Sequence, residues 1–170
     1  MSLDDELSDL LIISLEQAVA APYCGLLLAS AGARVIKIER PEGDFARSYD
    51  NSINGKSAIF AWLNRGKESI SLDLKNKTDK KIFKNMLKKA DVFLSNLTPG
   101  SLEKLELDYK QVKALNPKLI FCEITGYGNS KLAHSKKAYD FLIQAESGLC
   151  SVTGTEKYPA KVGISITDLS

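Results

Sequence analysis

The sequence predicts an α/β domain of three layers, a mostly parallel sheet between helices. Three observations predict it. Strand-like and helix-like stretches alternate along the whole chain. The first three form a strand–helix–strand unit within about thirty residues, whose crossover is right-handed and whose strands are parallel. No internal repeat, low-complexity tract or linker interrupts the pattern.

The elements follow in order. "LLIIS" (10–14) is a short continuous apolar run, as in a strand covered on both faces. "PYCGLLLASAG" (22–32) is a helix, with Pro22 in its first turn and Gly32 at its C-terminal end. "RVIKIER" (34–40) is a second strand carrying Val35, Ile36 and Ile38. "PEGDFARSYDNSINGKS" (41–57) is a polar loop long enough to be functional, with Asp44 and Asp50 in structural or solvated roles. "SISLDL" (69–74) alternates with period two, as a strand does. "KTDKKIFKNMLKKA" (77–90) is an amphipathic helix with Ile82, Phe83, Met86 and Leu87 on its apolar stripe. "DVFLSN" is the next strand, "PGSLEKL" a short helix, and "DYKQVKALN" another, closed by Pro117. "KLIFCEITGYG" returns to strand and ends in a glycine-rich turn. "AYDFLIQAESGL" has helical spacing from Asp140 to Leu149, with Asp140 as its N-cap, and Thr153-Gly154 breaks it.

Composition narrows the function classes. The 170 residues are 44% hydrophobic and 26% charged, and a chain of this size buries about two-thirds of its unfolded surface. A net charge of +2, with both signs interspersed, argues against a nucleic-acid binder. No apolar run approaches the roughly 18 residues of a membrane span. "MSLDDELSD" lacks a cationic signal-peptide start; residues 1–9 read as an N-terminal leader, in the manner of a cloning remnant. Cys24, Cys122 and Cys150 read as reduced, buried thiols of a cytoplasmic or organelle-matrix protein. A single histidine, His134, builds no zinc site and is expected to face solvent.

In parallel α/β sheets ligands bind beyond the carboxyl ends of the strands. The turn after the first strand, "SLEQAVAAP", has no dinucleotide fingerprint, and no phosphate loop or nucleophile elbow is present. What remains is a set of cations near strand ends (Arg40, Arg47, Arg65, Lys67, Lys75, Lys104, Lys137) with the amides of Gln17 and Asn96. Singly each reads as a solvated charge. As a set they suggest a phosphate-bearing, anionic ligand. The closing "VGISITDLS" presents Asp168 just past an apolar alternation, either as a surface or capping residue or as part of a site.

Taken together, "EQAVAAPYCGLLLASAGARVIKIERPEGD", "LNRGKESISLDLK", "ADVFLSNLTPGSLEKL", "LNPKLIFCEITGYG", "KKAYDFLIQAESGL" and "VGISITDL" resemble, in order and spacing, the N-terminal half of the class III (formyl-CoA transferase-like) CoA-transferases. The resemblance runs from Leu10 to the last residue. It implies a Rossmann-like large domain, so that 10–170 is its N-terminal part, the second domain being absent from the sequence, and an interlocked homodimer in the full-length protein. It implies that Asp168, after the "VG-S-x-x-D" strand, is the nucleophile, acting near its unperturbed pKa of about 3.9. It places Gln17 and Ala18 in the loop bordering the coenzyme A cleft, and Arg40, Leu72 and Lys75 beside the adenine-nucleotide end. Asn96 and Leu97 match the turn that contacts the coenzyme. Lys104 stands where relatives often carry Arg, which keeps the charge but loses the bidentate fork. Lys137 and Tyr139 match positions near the nucleophile and the pantetheine end.

The implied reaction moves CoA from an acyl-CoA to a small carboxylic acid through aspartyl anhydride and aspartyl-CoA intermediates, with CoA as substrate and no tightly bound cofactor or metal. Two other readings stand beside it. A racemase needs an acid/base pair across the α-carbon, and Tyr139, where racemases look to have His, is a poor stand-in. A catalytically incomplete CoA-binding fragment would bind without covalent chemistry. "SLEQAVAAPYCG" with "ERPEGDFARSYD" looks like the subgroup handling short dicarboxylic acids, Arg47 and Arg65 pairing with a distal carboxylate.

Overall fold

The computed structural model describes residues 6–128 and 136–170, and His134 lies outside the described residues. The chain divides into two compact units, one through Ile124 and one from Thr125 to Ser170.

The first unit is built on five strands: β1 (Leu11–Leu15), β2 (Arg34–Glu39), β3 (Glu68–Ser71), β4 (Val92–Ser95) and β5 (Ile120–Glu123). All pair in parallel, in the order β3-β2-β1-β4-β5. This is the doubly wound, Rossmann-like order, which reverses direction between β1 and β4 and opens a crevice there. β1 fixes the register on both sides, Ile12 facing Val35 and Val92, and Ile13 facing Ile36 and Phe93.

Strand alternation sends adjacent side chains to opposite faces, and two cores result. On one face Ile13, Leu15, Ile38 and Phe93 pack with Phe83 and Leu87 of α3 (Lys77–Leu87), Leu102 of α4 (Ser101–Lys104) and Val112 of α5 (Tyr109–Leu115). On the other, Ile12, Val35 and Leu94 pack with Ala21, Cys24 and Leu28 of α1 (Ala20–Ser30). Helices on both faces make the three layers. Leu7 joins the second cluster and donates its N–H to Ala31 O at 2.9 Å. Phe83, Phe93, Phe121 and Tyr109 form an edge-to-face chain with centroids 5.5–5.7 Å apart, each pair worth about 0.5–1.5 kcal/mol beyond its burial.

Local signals set the helix ends. Asn76 Oδ1 accepts from Thr78 and Asp79 N–H to start α3, and Asp108 accepts from Gln111 N–H to start α5. Gly32 follows α1 at φ +96°, a left-handed position that favours glycine. Two regions depart from the sequence reading. The strand expected over 69–74 ends at Ser71, after which Leu72 and Leu74 turn in and are buried. An additional helix, α2 (Ala58–Asn64), follows the polar loop; Ser57 caps it, and Asp50 accepts from Ser57 Oγ and the N–H groups of Ala58 and Ile59. Only Leu63 of α2 is buried, so its apolar pattern is faint.

The second unit contains α6 (Asp140–Glu146) and a two-residue hairpin, β6 (Gly154–Thr155) with β7 (Tyr158–Pro159). The expected closing strand does not form. Residues 162–169 are turns, with Ile166 N–H bonded to Ile164 O, Asp168 N–H to Ser165 O and Leu169 N–H to Ile166 O. Among the described residues the alternation of Val162, Ile164 and Ile166 pairs with no strand, and local bonds take the place of a ladder. Among the described residues no helix is long and apolar enough to cross a membrane, and no cluster of three His, Cys, Asp or Glu is placed to hold a metal.

Candidate functional site

In the first unit a groove of about 210 Å³ opens at the carboxyl ends of the strands. Its walls are the residues that leave β1 (Glu16, Gln17), β2 (Arg40, Gly43, Asp44), β3 (Leu72, Lys75) and β4 (Leu97). The switch point therefore becomes a crevice with apolar flanks and two rim cations, Arg40 and Lys75.

Polar bonds shape the groove's loops. Asn96 grips the backbone of Gln17 from both sides, its Oδ1 accepting from Gln17 N–H at 2.9 Å and its Nδ2 donating to Gln17 O at 2.8 Å. Ala18 follows at φ +64°, a conformation costly for a residue with a Cβ, and its N–H donates to Asp44 Oδ1 at 3.2 Å. Beyond β2, Gly43 takes φ +80° and its N–H closes a turn on Arg40 O, while Arg40 Nε donates back to Gly43 O at 2.9 Å. A Cβ at Gly43 would lie 3.1 Å from Arg47 Cδ, so the turn needs glycine for its conformation and its room.

Beneath the groove lies a buried ionic network. Lys37 Nζ sits 2.7 Å from Asp44 Oδ2 and 3.7 Å from Glu16 Oε1, and each of these side chains is at most 1% exposed. Lys67, equally buried, donates to Glu16, to Pro22 O at 2.8 Å and to Asn64 Oδ1 at 3.3 Å. Burial pushes the Lys67 ammonium down from its ordinary value, and Glu16 opposes that. Two lysines face two carboxylates, so this set carries no spare charge for a ligand.

A second pair adjoins it. Glu39, at the end of β2, accepts a bidentate pair from Arg47 at 2.7 and 2.8 Å, plus Ser69 Oγ and Asp44 N–H. Burial alone would raise the Glu39 carboxyl; these donors hold it at about 2. Arg47 also stacks 3.9 Å over the Phe60 ring. Glu39 thus has its acceptor positions filled by the protein, and Arg47 is engaged with it.

In the second unit the turns carrying Asp168 are tied to one face of α6. Asp140 Oδ1 accepts from Thr167 N–H at 2.9 Å and Thr167 Oγ1 at 2.7 Å. Four residues along the same face, Gln144 Nε2 donates to Asp140 Oδ2 at 2.7 Å and Ile164 O at 3.3 Å, and its Oε1 accepts from Val162 N–H at 2.8 Å. The expected N-cap role of Asp140 is corrected: the helix starts after Tyr139 with no side-chain cap, and the carboxylate turns to Thr167 instead. Burial first, then the charge of Asp140, pushes the half-buried Asp168 carboxyl up from its ordinary value. The unperturbed pKa expected for Asp168 is corrected accordingly.

Of the residues singled out from sequence, the groove brings together Gln17, Arg40, Leu72, Lys75 and Leu97. Asn96 and Ala18 support its β1 loop. Lys104, on α4, is exposed and does not line the groove. Lys137, Tyr139 and Asp168 belong to the second unit, Tyr139 being 64% exposed. Of the remaining strand-end cations, Lys67 and Arg47 are engaged internally with Glu16 and Glu39. Arg65, just past α2, is exposed. Sequence reasoning missed the roles of Glu16, Lys37 and Gln144. One signal was available for Lys37: a lysine inside the apolar strand "RVIKIE", among residues otherwise covered.

Residues 7–170 match CoA-transferase family III. The acetyl-CoA:oxalate CoA-transferase of Acetobacter aceti is 41% identical over 164 residues, 94% of this chain and 42% of that protein. The succinyl-CoA:mesaconate CoA-transferase of Haloarcula hispanica is 36% identical over 173 residues, 96% of this chain and 44% of that protein. Among solved structures, a CAIB/BAIF family protein from Brucella suis superimposes with a TM-score of 0.92 at 35% identity, over 98% of this chain and 46% of that one. The chain spans less than half the length of these relatives.

Proposed function

This chain belongs to CoA-transferase family III, and from that premise we propose that the protein carrying it transfers CoA from an acyl-CoA to a small carboxylic acid, with Asp168 as nucleophile. The observation that carries the proposal is the groove at the switch point, where Gln17, Arg40, Leu72, Lys75 and Leu97 come from the ends of four adjacent strands. Its apolar flanks suit the adenine and pantetheine of CoA, and the cations Arg40 and Lys75 suit its phosphates. Lys104, Lys137 and Tyr139 are further proposed coenzyme contacts, carried over from the family resemblance alone.

The chemistry follows from a carboxylate attacking a thioester. An Asp168 oxygen adds to the acyl carbon, the C–S bond breaks, and CoA leaves as thiolate from a mixed anhydride. The thiolate then attacks the aspartyl carbon, releasing the donor acid as carboxylate and leaving an Asp168–CoA thioester. The acceptor carboxylate attacks that thioester and expels the thiolate, forming a second anhydride. The thiolate attacks the acceptor's acyl carbon, giving the new acyl-CoA and restoring Asp168. Proton transfer is required nowhere, so an ionised carboxylate held in position suffices.

The acids we propose are short dicarboxylates, supported by relatives named for oxalate and mesaconate. The domain reading is that residues 10–170 form the N-terminal part of a larger two-domain protein, which we propose is an interlocked, cytoplasmic homodimer. Tyr139 supports transferase over racemase chemistry, because a phenol is a poor α-proton base compared with an imidazole. The test incubates the full-length protein with succinyl-CoA and oxalate, mesaconate or glutarate, and follows the acyl-CoA products by chromatography. A new acyl-CoA that disappears with Asp168→Asn supports the proposal. Undiminished exchange in that variant, or α-proton exchange with solvent and no CoA transfer, contradicts it.

A further inference from the structure

We propose that Gln144 is a positioning residue for the Asp168 carboxylate, holding the 162–168 turns against α6 through its buried side-chain amide. The inference rests on the reading of Asp168 as nucleophile.

Among the described residues, 162–169 have no ladder partner, and they take their shape from short local bonds. The side chains of Asp140 and Gln144, one helical turn apart on the same face of α6, bond to this segment. Gln144 is fully buried. Its oxygen fixes Val162 N–H at the start of the segment, and its NH₂ fixes Ile164 O two residues on. The same NH₂ holds Asp140 Oδ2, which leaves Asp140 Oδ1 for Thr167, the residue before Asp168. One amide thereby couples both ends of the turn to a single helix. A hydroxyl lacks the span and a carboxylate lacks the donors, so an amide is the side chain that meets one donor and two acceptors at once.

Gln144→Leu keeps much of the volume but leaves Val162 N–H and Ile164 O without this partner, and the turn is free to shift. A misplacement of about 1 Å in a reacting group costs on the order of a hundredfold in rate. Gln144→Glu keeps the acceptor for Val162 N–H, loses the donor and faces Asp140 with like charge.

The experiment is a single turnover in the full-length protein, with succinyl-CoA and no acceptor acid, following the Asp168–CoA thioester by mass spectrometry of the quenched protein. Rate and amplitude are read separately. Loss of folded protein lowers amplitude, whereas misplacement of Asp168 lowers rate. The expected result is an adduct rate down about a hundredfold in Gln144→Leu, and down at least about tenfold in Gln144→Glu, with KM for succinyl-CoA within about threefold of the parent. A rate within twofold of the parent in the soluble variant or variants, whether or not amplitude falls, overturns the inference, provided Asp168→Asn forms no adduct. If Gln144→Leu does not fold, Gln144→Glu is judged by the same criterion. Adduct formation in Asp168→Asn overturns the underlying reading instead.

Discussion

Replacing Lys37 with Met tests whether the buried network beneath the groove holds it together. The ammonium bridges Asp44 Oδ2 at 2.7 Å and Glu16 Oε1 at 3.7 Å, and faces the Phe60 ring at 5.2 Å. Glu16 retains Lys67 and Ser14 Oγ when Lys37 is lost, so the stranded charge belongs mainly to Asp44. Asp44 keeps the N–H groups of Ala18 and Ala46 and the more distant charges of Arg47 and Lys67, but loses its direct ion pair. Breaking a buried pair from one end costs about 3–5 kcal/mol. The two backbone donors left on Asp44 place the expected cost near the lower end, about 3 kcal/mol. Lys37→Met/Asp44→Asn removes both charges while an Asn oxygen still accepts from Ala18 and Ala46. The double variant is therefore expected to be more stable than Lys37→Met alone by about 1 kcal/mol or more. Urea unfolding of the full-length variants, compared at equal m, measures both values. A loss under about 1 kcal/mol for Lys37→Met, or strict additivity of the two changes, refutes the account of the network.

Other expectations follow from the same geometry. Arg40→Ala or Lys75→Ala is expected to weaken CoA binding about tenfold, or about 1.4 kcal/mol, with the difference shrinking at high salt; calorimetry at two ionic strengths checks this. Ala18→Gly relieves the left-handed backbone at φ +64° and is expected to raise stability by about 0.5–1 kcal/mol, read as a shift in the urea midpoint. In the proposed reaction the attacking Asp168 is ionised, and burial and Asp140 raise its pKa. Activity is thus lost as pH falls through a value above the ordinary 3.9 or so. Asp140→Asn removes the neighbouring charge, so the acid limb of the single-turnover rate should move to lower pH; no movement, or movement upward, contradicts that cause.

Much of the sheet was legible because the apolar runs at β1, β2, β4 and β5 and the stripe of α3 obey simple periods. The groove was legible through strand ends, since a parallel sheet presents ligands there, and the resemblance named five of its lining residues. What could not be read was which charges face inward. Lys67 and Arg47 look like surface cations in the sequence, and only folding shows that Glu16, 51 residues away, and Glu39, at the end of the preceding strand, neutralise them. Helix α2 was missed because only one of its seven residues is buried, which leaves its apolar face faint despite the Ser57 cap. The closing segment was misread as a strand because its alternation satisfies period two, whereas its backbone bonds to α6 side chains and to itself. Gln144, in an unremarked helical stretch, carries no sequence signal for such a role.

The most direct test of the central claim follows an oxygen atom. Full-length protein turns over succinyl-CoA with an acceptor acid labelled with ¹⁸O in its carboxylate, and the peptide containing Asp168 is then weighed. If the Asp168 carboxylate forms an anhydride with the acceptor, the bridging oxygen stays with Asp168 when the thiolate takes the acyl carbon, and the peptide gains the heavy isotope. Turnover that leaves the Asp168 peptide unlabelled contradicts the account.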